Sequence, residues 1–246
     1  MGQRKAIRTE TRTIDCGALA ITVELTYARR RTLGISVHRD GRVTVRAPLG
    51  GDPAVVEQAI RRRAGWILKQ QRAMAAYPPP AAPPEYRHDE LHAYLGRQYR
   101  LQVLERPADR VSLGRDHLFV CARDIAPARV ARLLAAWYRD EAARVFAERL
   151  AACFPLVAGL GVAYPTLGIR RMKARWGSCG ANGHIILNLR LIHMPVELID
   201  YVVIHELCHL KEHNHSPRYY ALLDRALPDW RERRAALNRV DLRQSP

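Results

Sequence analysis

The chain is 246 residues long, with 40 lysines and arginines against 24 acids and a formal net charge of +16. Hydrophobic residues make up 48% and charged residues 26%, the balance of a globular protein with enough chain for one large or two small domains. No run of about twenty uncharged apolar residues occurs, which excludes a membrane-spanning helix, and the N-terminal residues alternate charge and threonine without the apolar centre of a signal peptide.

Residues 1–77 read as strands followed by a helix. Ile21, Val23 and Leu25 alternate, as do Ile35 with Val37 and Val43 with Val45, and Asp40-Gly41 supplies a hairpin turn. Asp52-Pro53 opens a helix that carries Val56, Ile60, Ile67 and Leu68 and ends near Tyr77. Prolines at 78, 79, 80, 83 and 84 forbid helix or central strand over residues 78–85. That stretch is a semi-rigid spacer before a second region, residues 86–246. There, residues 94–101 with the segments about Val111 and Leu118 predict a small meander. Residues 124–154 form a long amphipathic helix with Val130, Leu133, Leu134, Trp137, Phe146 and Leu150 on its inner side. Residues 167–176 and 184–192 are expected to pair as a second hairpin, with Ile185, Leu187, Leu189 and Leu191 giving its last strand a buried face. No internal repeat is visible. The expected class is α+β: a small β-rich region with a helix, then a domain of long helix, hairpin and motif helix.

The motif helix carries the chemistry. Pro195 suits a first helical position and Glu197 the first turn. Val196, Ile199, Val203, Leu207 and Leu210 form one apolar stripe with His205 and His209 opposite. Leu198, Tyr201 and Ile204 flank the histidines, so the helix is buried nearly all round. His205-Glu206-Leu207-Cys208-His209 is an H-E-x-x-H motif. Its two imidazoles project about 40° apart and converge on one metal ion, which meets the need of buried histidines for partners. Zinc suits imidazole, and catalytic zinc commonly takes three protein ligands and a water. Glu206 stands beside that water as general base.

The third ligand is a matter of chain reversal. His213 continues the series but lies about 12 Å from His205 along a straight helix. His215 fits if the helix ends near Glu212, Asn214 takes a left-handed turn, and Ser216-Pro217 caps a new helix through Tyr219, Leu222 and Leu223. Asp224 and Glu232 remain as alternatives.

Four segments together resemble the YgjP-like metallopeptidase family. They are Arg175-Trp176-Gly177-Ser178-Cys179, Ile185-Ile186-Leu187-Asn188, residues 201–210 and Asn214-His215-Ser216. The resemblance is dense over residues 166–230 and traceable more loosely back to about residue 20. Its members are zincin proteases that look related to the SprT and Spartan group. The resemblance implies that His205, His209 and His215 ligate zinc and that Glu206 is catalytic. Gly180 stands where Ser is commoner and Tyr219-Tyr220 where Phe-Trp is commoner, departures that bear on pocket shape.

Further candidates surround the motif. Arg175 suits anion or carbonyl binding, or else an ion pair with an acid such as Asp200. Asn188 suits either substrate contact or the fixing of nearby backbone. Tyr219 or Tyr220 suits a hydrogen bond to a tetrahedral oxyanion, or core packing. The strand leading into the motif helix offers an edge for an extended peptide. Five cysteines (Cys16, Cys121, Cys153, Cys179, Cys208), odd in number and without C-x-x-C, read as reduced thiols in a cytoplasmic protein, with Cys208 in packing. Basic clusters stand at 29–31, at 61–63 and at Arg170, Arg171, Lys173 and Arg175. The other lysines are Lys5, Lys69 and Lys211, so arginine-rich composition explains part of the charge. The expected function is zinc-dependent hydrolysis of peptide bonds in a protein or peptide substrate, with no membrane partner. Two alternatives stand beside it: a DNA-associated protease acting on nucleic-acid-bound proteins, and a zinc-stabilised binding protein without hydrolysis.

Overall fold

In the computed structural model, which describes residues 9–75 and 83–240 apart from 18 and 39, the chain divides into two units, Met1–Ala81 and Ala82–Pro246. Most of the proline spacer falls outside the described residues. In the first unit, β1 (Thr9–Asp15), β2 (Ala20–Ala28), β3 (Gly34–Val37) and β4 (Val43–Pro48) form a sheet in the order β1-β2-β4-β3. β4 runs parallel to β2, with Val23 opposite Val43 and Leu25 opposite Val45, and these side chains are sealed in the core. The Asp40-Gly41 turn is present, with Gly41 at φ +80°, a conformation glycine takes without a steric cost. β1 escaped the sequence because Ile14 is its only buried residue, which leaves no alternation to read. Asp52 caps α1 (Pro53–Arg62) by accepting from the Ala54 amide at 2.8 Å. The helix breaks at Arg63, and α2 (Ala64–Ala75) carries Ile67 back into the same core. The expected helix end near Tyr77 lies outside the described residues.

In the second unit, β5 (Leu91–Tyr94), β6 (Arg97–Glu105), β7 (Arg110–Leu113) and β8 (His117–Ala122) are ordered β5-β6-β8-β7. This corrects the expected meander. Leu118, Val120 and Ala122 are fully buried, which suits a central strand, and β8 accordingly inserts between β6 and β7, parallel to β6. α3 (Pro127–Cys153) follows, with Val130, Leu134, Tyr138, Ala142, Phe146 and Leu150 inward, then the short α4 (Pro155–Ala158).

The two four-stranded sheets share one design, a repeat the sequence conceals. Each has the same strand order and the same pairing senses, and each feeds a helix. Val43, Val45 and Ala47 of β4 match the buried Leu118, Val120 and Ala122 of β8. Val56 and Ile60 lie one and two turns past Pro53, as Val130 and Leu134 lie past Pro127. The likeness resides in burial pattern and in a few scattered identities, Val45 with Val120, Ala47 with Ala122, Pro53 with Pro127 and Val56 with Val130.

The third sheet positions the site. β9 (Thr166–Arg170), β10 (Gly177–Cys179) and β11 (His184–Asn188) are ordered β10-β11-β9. The expected hairpin is corrected: β11 pairs antiparallel with β10 and parallel with β9. β11 also stops earlier than expected, because the Asn188 side chain accepts from the Arg190 amide at 3.2 Å and caps a 3-10 helix, Leu189–His193. Next come α5 (Val196–Cys208), α6 (Pro217–Ala226) and α7 (Trp230–Asn238). α5 is buried nearly all round as expected, with Ile199, Val203 and Leu207 at 0% exposure. Arg149 of α3 grips Asp200 of α5 with two hydrogen bonds, 2.6 and 2.7 Å, so Asp200 is not the partner of Arg175. The chain is thus α+β, with three small sheets among the described residues. No helix among the described residues is long and apolar enough to cross a membrane.

Candidate active site

α5 ends at Cys208 with His209 as its C-cap, short of the expected Glu212. The reversal also differs from expectation, since Asn214 is not among the residues with positive φ. It closes instead through His209 Nδ1, 3.0 Å from the Glu212 carbonyl oxygen, and the Ser216 amide, which donates to the Asn214 carbonyl at 2.7 Å. Ser216 then caps α6, its hydroxyl accepting from the Tyr219 amide at 3.3 Å with Pro217 as the first helical residue.

That turn brings His215 back to the motif. One ring nitrogen from each of His205, His209 and His215 lies within 4.8 Å of the other two, and the Nε2 atoms of His205 and His215 are 3.2 Å apart. His213 is exposed and outside the cluster. Asp224 is committed elsewhere, to Trp230 and Arg231 at 2.7 and 2.6 Å.

The three rings suit a divalent ion that favours nitrogen. A carbonyl only accepts, so the Glu212 contact puts the proton of His209 on Nδ1 and leaves Nε2 bare. Burial, then the neighbouring His209 and His215, push His205 down to about 3. Burial also lowers His209. Neutral imidazoles are the form that binds metal.

Glu206 is 4% exposed and lies against Gly177 of β10, where a Cβ would stand 2.5 Å from its Oε1. Burial pushes its carboxyl up to about 8, with the Arg175 charge pulling the other way. Asn188 is wholly buried. Its Nδ2 donates to the carbonyls of Met172 and Arg175 at 2.8 and 2.9 Å, while its Oδ1 accepts from the amides of Met172 and Arg190 at 3.4 and 3.2 Å. With every polar atom occupied, it fixes the loop before β10 and has nothing left for substrate. Arg175 is exposed on that loop.

Tyr219 is also turned inward. It is 0% exposed, and its hydroxyl lies 2.6 Å from His205 Nδ1 and 3.1 Å from the His205 carbonyl oxygen. Tyr220 is half-buried, stacked on Trp230 at 5.5 Å with His215 6.2 Å away. Cys208 packs in the core, as expected. Burial, with Glu206 nearby, pushes the half-buried Cys179 thiol up to about 11. Sequence reasoning missed the role of Gly177, whose only signal was its place inside the Arg-Trp-Gly-Ser-Cys segment.

An H-E-x-x-H helix joined by a third histidine on an α+β scaffold is the arrangement of a metallopeptidase, a hydrolase of peptide bonds that works with a metal ion. The YgjP-like metallopeptidase domain profile matches residues 31–240, and the chain belongs to that family. A search of curated proteins finds no match. Among solved structures, the metallopeptidase zymogen abylysin of Pyrococcus abyssi resembles 37% of this chain and 90% of its own, at 21% identity and a TM-score of 0.35, too slight a likeness to carry further argument.

Proposed function

We propose that the chain is a zinc-dependent peptidase in which His205, His209 and His215 hold the ion and Glu206 is the general base. The observation that carries this reading is Glu206 itself. The residue is 4% exposed, yet among the described residues no hydrogen bond to its carboxylate is found and its oxygens are not sealed from solvent, whereas an acid kept for stability at that depth is normally hydrogen-bonded. Zinc supplies a Lewis acid that polarises the scissile carbonyl and makes water nucleophilic near neutral pH. Glu206 takes the proton from the attacking water and returns it to the departing amine. Its carboxylate reaches the reacting atoms because Gly177 gives it room.

Substrate alignment falls to β10. Both edges of β11 are taken, so the strand addition first expected there moves to its neighbour. The Asn188 amide donates to Trp176, and the Gly180 amide donates to the carbonyl of His184. By antiparallel alternation, Ser178 also bonds inward while the backbone groups of Gly177 and Cys179 face outward. A peptide paired there would run beside Glu206. The exposed Arg170, Arg171, Lys173 and Arg175 precede this edge, and none is in an ion pair among the described residues. They favour acidic side chains near the scissile bond, with Arg175 nearest the carboxylate. The same cations suit a DNA-associated peptidase, a reading that a steep salt dependence of DNA affinity would support.

All this chemistry lies in the second unit, which we take as the peptidase domain, with the first as a separate β-rich domain. The five free cysteines fit a reducing compartment such as the cytoplasm. The deciding experiment is removal of metal with a chelator, which should abolish cleavage of an unfolded protein substrate, and zinc should restore it. Cleavage that survives complete demetallation would end the proposal.

A further inference from the structure

We infer that Tyr219 is a positioning residue for the metal site: its hydroxyl accepts the Nδ1 hydrogen of His205 and donates its own to the His205 carbonyl, holding the ring with Nε2 bare toward the ion. The inference rests on the reading of His205 as a ligand and goes beyond it.

The argument starts at the end of α5. The His209 amide bonds to the Glu206 carbonyl at 3.2 Å, so the helix tightens there and the His205 carbonyl loses its ordinary donor four residues on. The Tyr219 hydroxyl, 3.1 Å away, fills that role. A phenol has one hydrogen. Once it goes to a carbonyl, which can only accept, the 2.6 Å contact with His205 Nδ1 must run from the ring to the oxygen. The relay therefore selects one tautomer of His205, the one whose free Nε2 faces Nε2 of His215 at 3.2 Å.

Packing prevents the phenol from leaving. Its ring stacks on His209 at 4.5 Å and 25° and meets His215 edge-on at 4.8 Å and 73°. No part of the residue reaches solvent. Tyr219 thus floors all three imidazoles while its hydroxyl addresses one of them. A phenylalanine, the commoner residue here in the family the chain resembles, would fill the same floor but lose the relay and leave the His205 carbonyl and Nδ1 without this partner, so the hydroxyl is particular to this chain and separable from the ring.

The test uses Tyr219→Phe in the full chain, with zinc affinity measured by competition with a chromophoric chelator. Affinity should fall 10- to 100-fold, the usual cost of losing a group that orients a ligand. Tyr201→Phe, which removes another phenol whose ring lies 5.9 Å from His205, should leave affinity unchanged. Nitrogen-detected imidazole spectra supply a readout that general loosening would not move. Metal-free wild type should show His205 protonated on Nδ1, and the variant should show both tautomers. Unchanged affinity in Tyr219→Phe overturns the inference. So does a metal-free wild type with its His205 proton on Nε2, a result that stands even if the variant fails to fold. Wild-type protein that binds no zinc overturns the ligand assignment instead, and is distinguishable from both.

Discussion

Gly177 and Glu206 are in direct contact across β10 and α5, and a Cβ at position 177 would stand 2.5 Å from Oε1 and 2.8 Å from Cγ of the glutamate. Such separations are impossible for real atoms, so any side chain at 177 displaces the carboxylate. Gly177→Ala should therefore keep its zinc and lose activity on the order of 10²-fold, the cost of moving a reacting group by about 1 Å. Zinc content and kcat/KM measured together check this. A variant with wild-type kcat/KM would show that the carboxylate works from elsewhere.

The turn from α5 to α6 brings His215, and not His213, to His205 and His209, which is the basis for proposing it as the third ligand. His215→Ala should strip zinc from the purified protein, whereas His213→Ala should retain one ion per chain. Elemental analysis decides it, and the opposite ranking would refute the assignment.

The sequence shows the site more clearly than the fold around it. His205, Glu206 and His209 are legible because helical period alone puts them on adjoining faces, and His215 because Ser216-Pro217 is a helix start in any context. Strand neighbours are not legible. Alternation in β8 and β11 tells which face is buried but not which strands lie alongside or in which sense: β8 pairs with β7 as a meander requires but also with β6, and β11 pairs with β9 in parallel and not as a hairpin. The roles of Gly177 and Tyr219 depend on contacts made only after α5, β10 and α6 assemble. The duplicated sheet is not legible because the identities it leaves, such as Val45 with Val120 and Ala47 with Ala122, are few, scattered and ordinary for buried strands.

Acid should weaken the second unit through His193. This residue is 6% exposed, its Nδ1 lies 2.8 Å from the Ala93 carbonyl oxygen, and burial pushes it down to about 4, with His92, Arg171 and Arg190 adding to the effect. In the unfolded chain it titrates near 6.5. Between those values the unfolded state binds more protons, so its contribution is whole above about pH 6.5 and is lost as pH falls toward 4, by up to about 3 kcal/mol. His193→Asn keeps a donor for Ala93 without titrating. Denaturant midpoints at pH 7 and pH 5 should therefore converge in the variant relative to wild type. An equal pH 7-to-5 difference in the two proteins would contradict the assignment.

The basic loop should act on substrate capture rather than on chemistry. Lys173→Glu places an acid among Arg170, Arg171 and Arg175, all exposed. KM for a peptide with acidic residues should rise about 2- to 5-fold, on the scale of one exposed charge pair, while kcat holds. A matched neutral peptide should respond little, and added salt should erase the difference. Equal KM changes for the two peptides would remove charge recognition from the account.

Glu206 should prove catalytic and not structural. It adjoins His205 and is 4% exposed, yet among the described residues no hydrogen bond to its carboxylate is found. A structural acid so deeply buried would be costly without partners, and replacing it by the near-isosteric glutamine would alter folding before chemistry. A general base behaves the other way, since glutamine keeps the shape but cannot take the proton. Glu206→Gln should therefore hold zinc and unfold at or above the wild-type temperature, because a buried ionisable group has become neutral. Peptidase activity should fall on the order of 10²-fold or more. The comparison needs one verified substrate, zinc content and a thermal melt for both proteins. If both cleave that substrate at the same rate, the site hydrolyses by some other group. If the variant instead loses zinc or stability, Glu206 belongs to the scaffold.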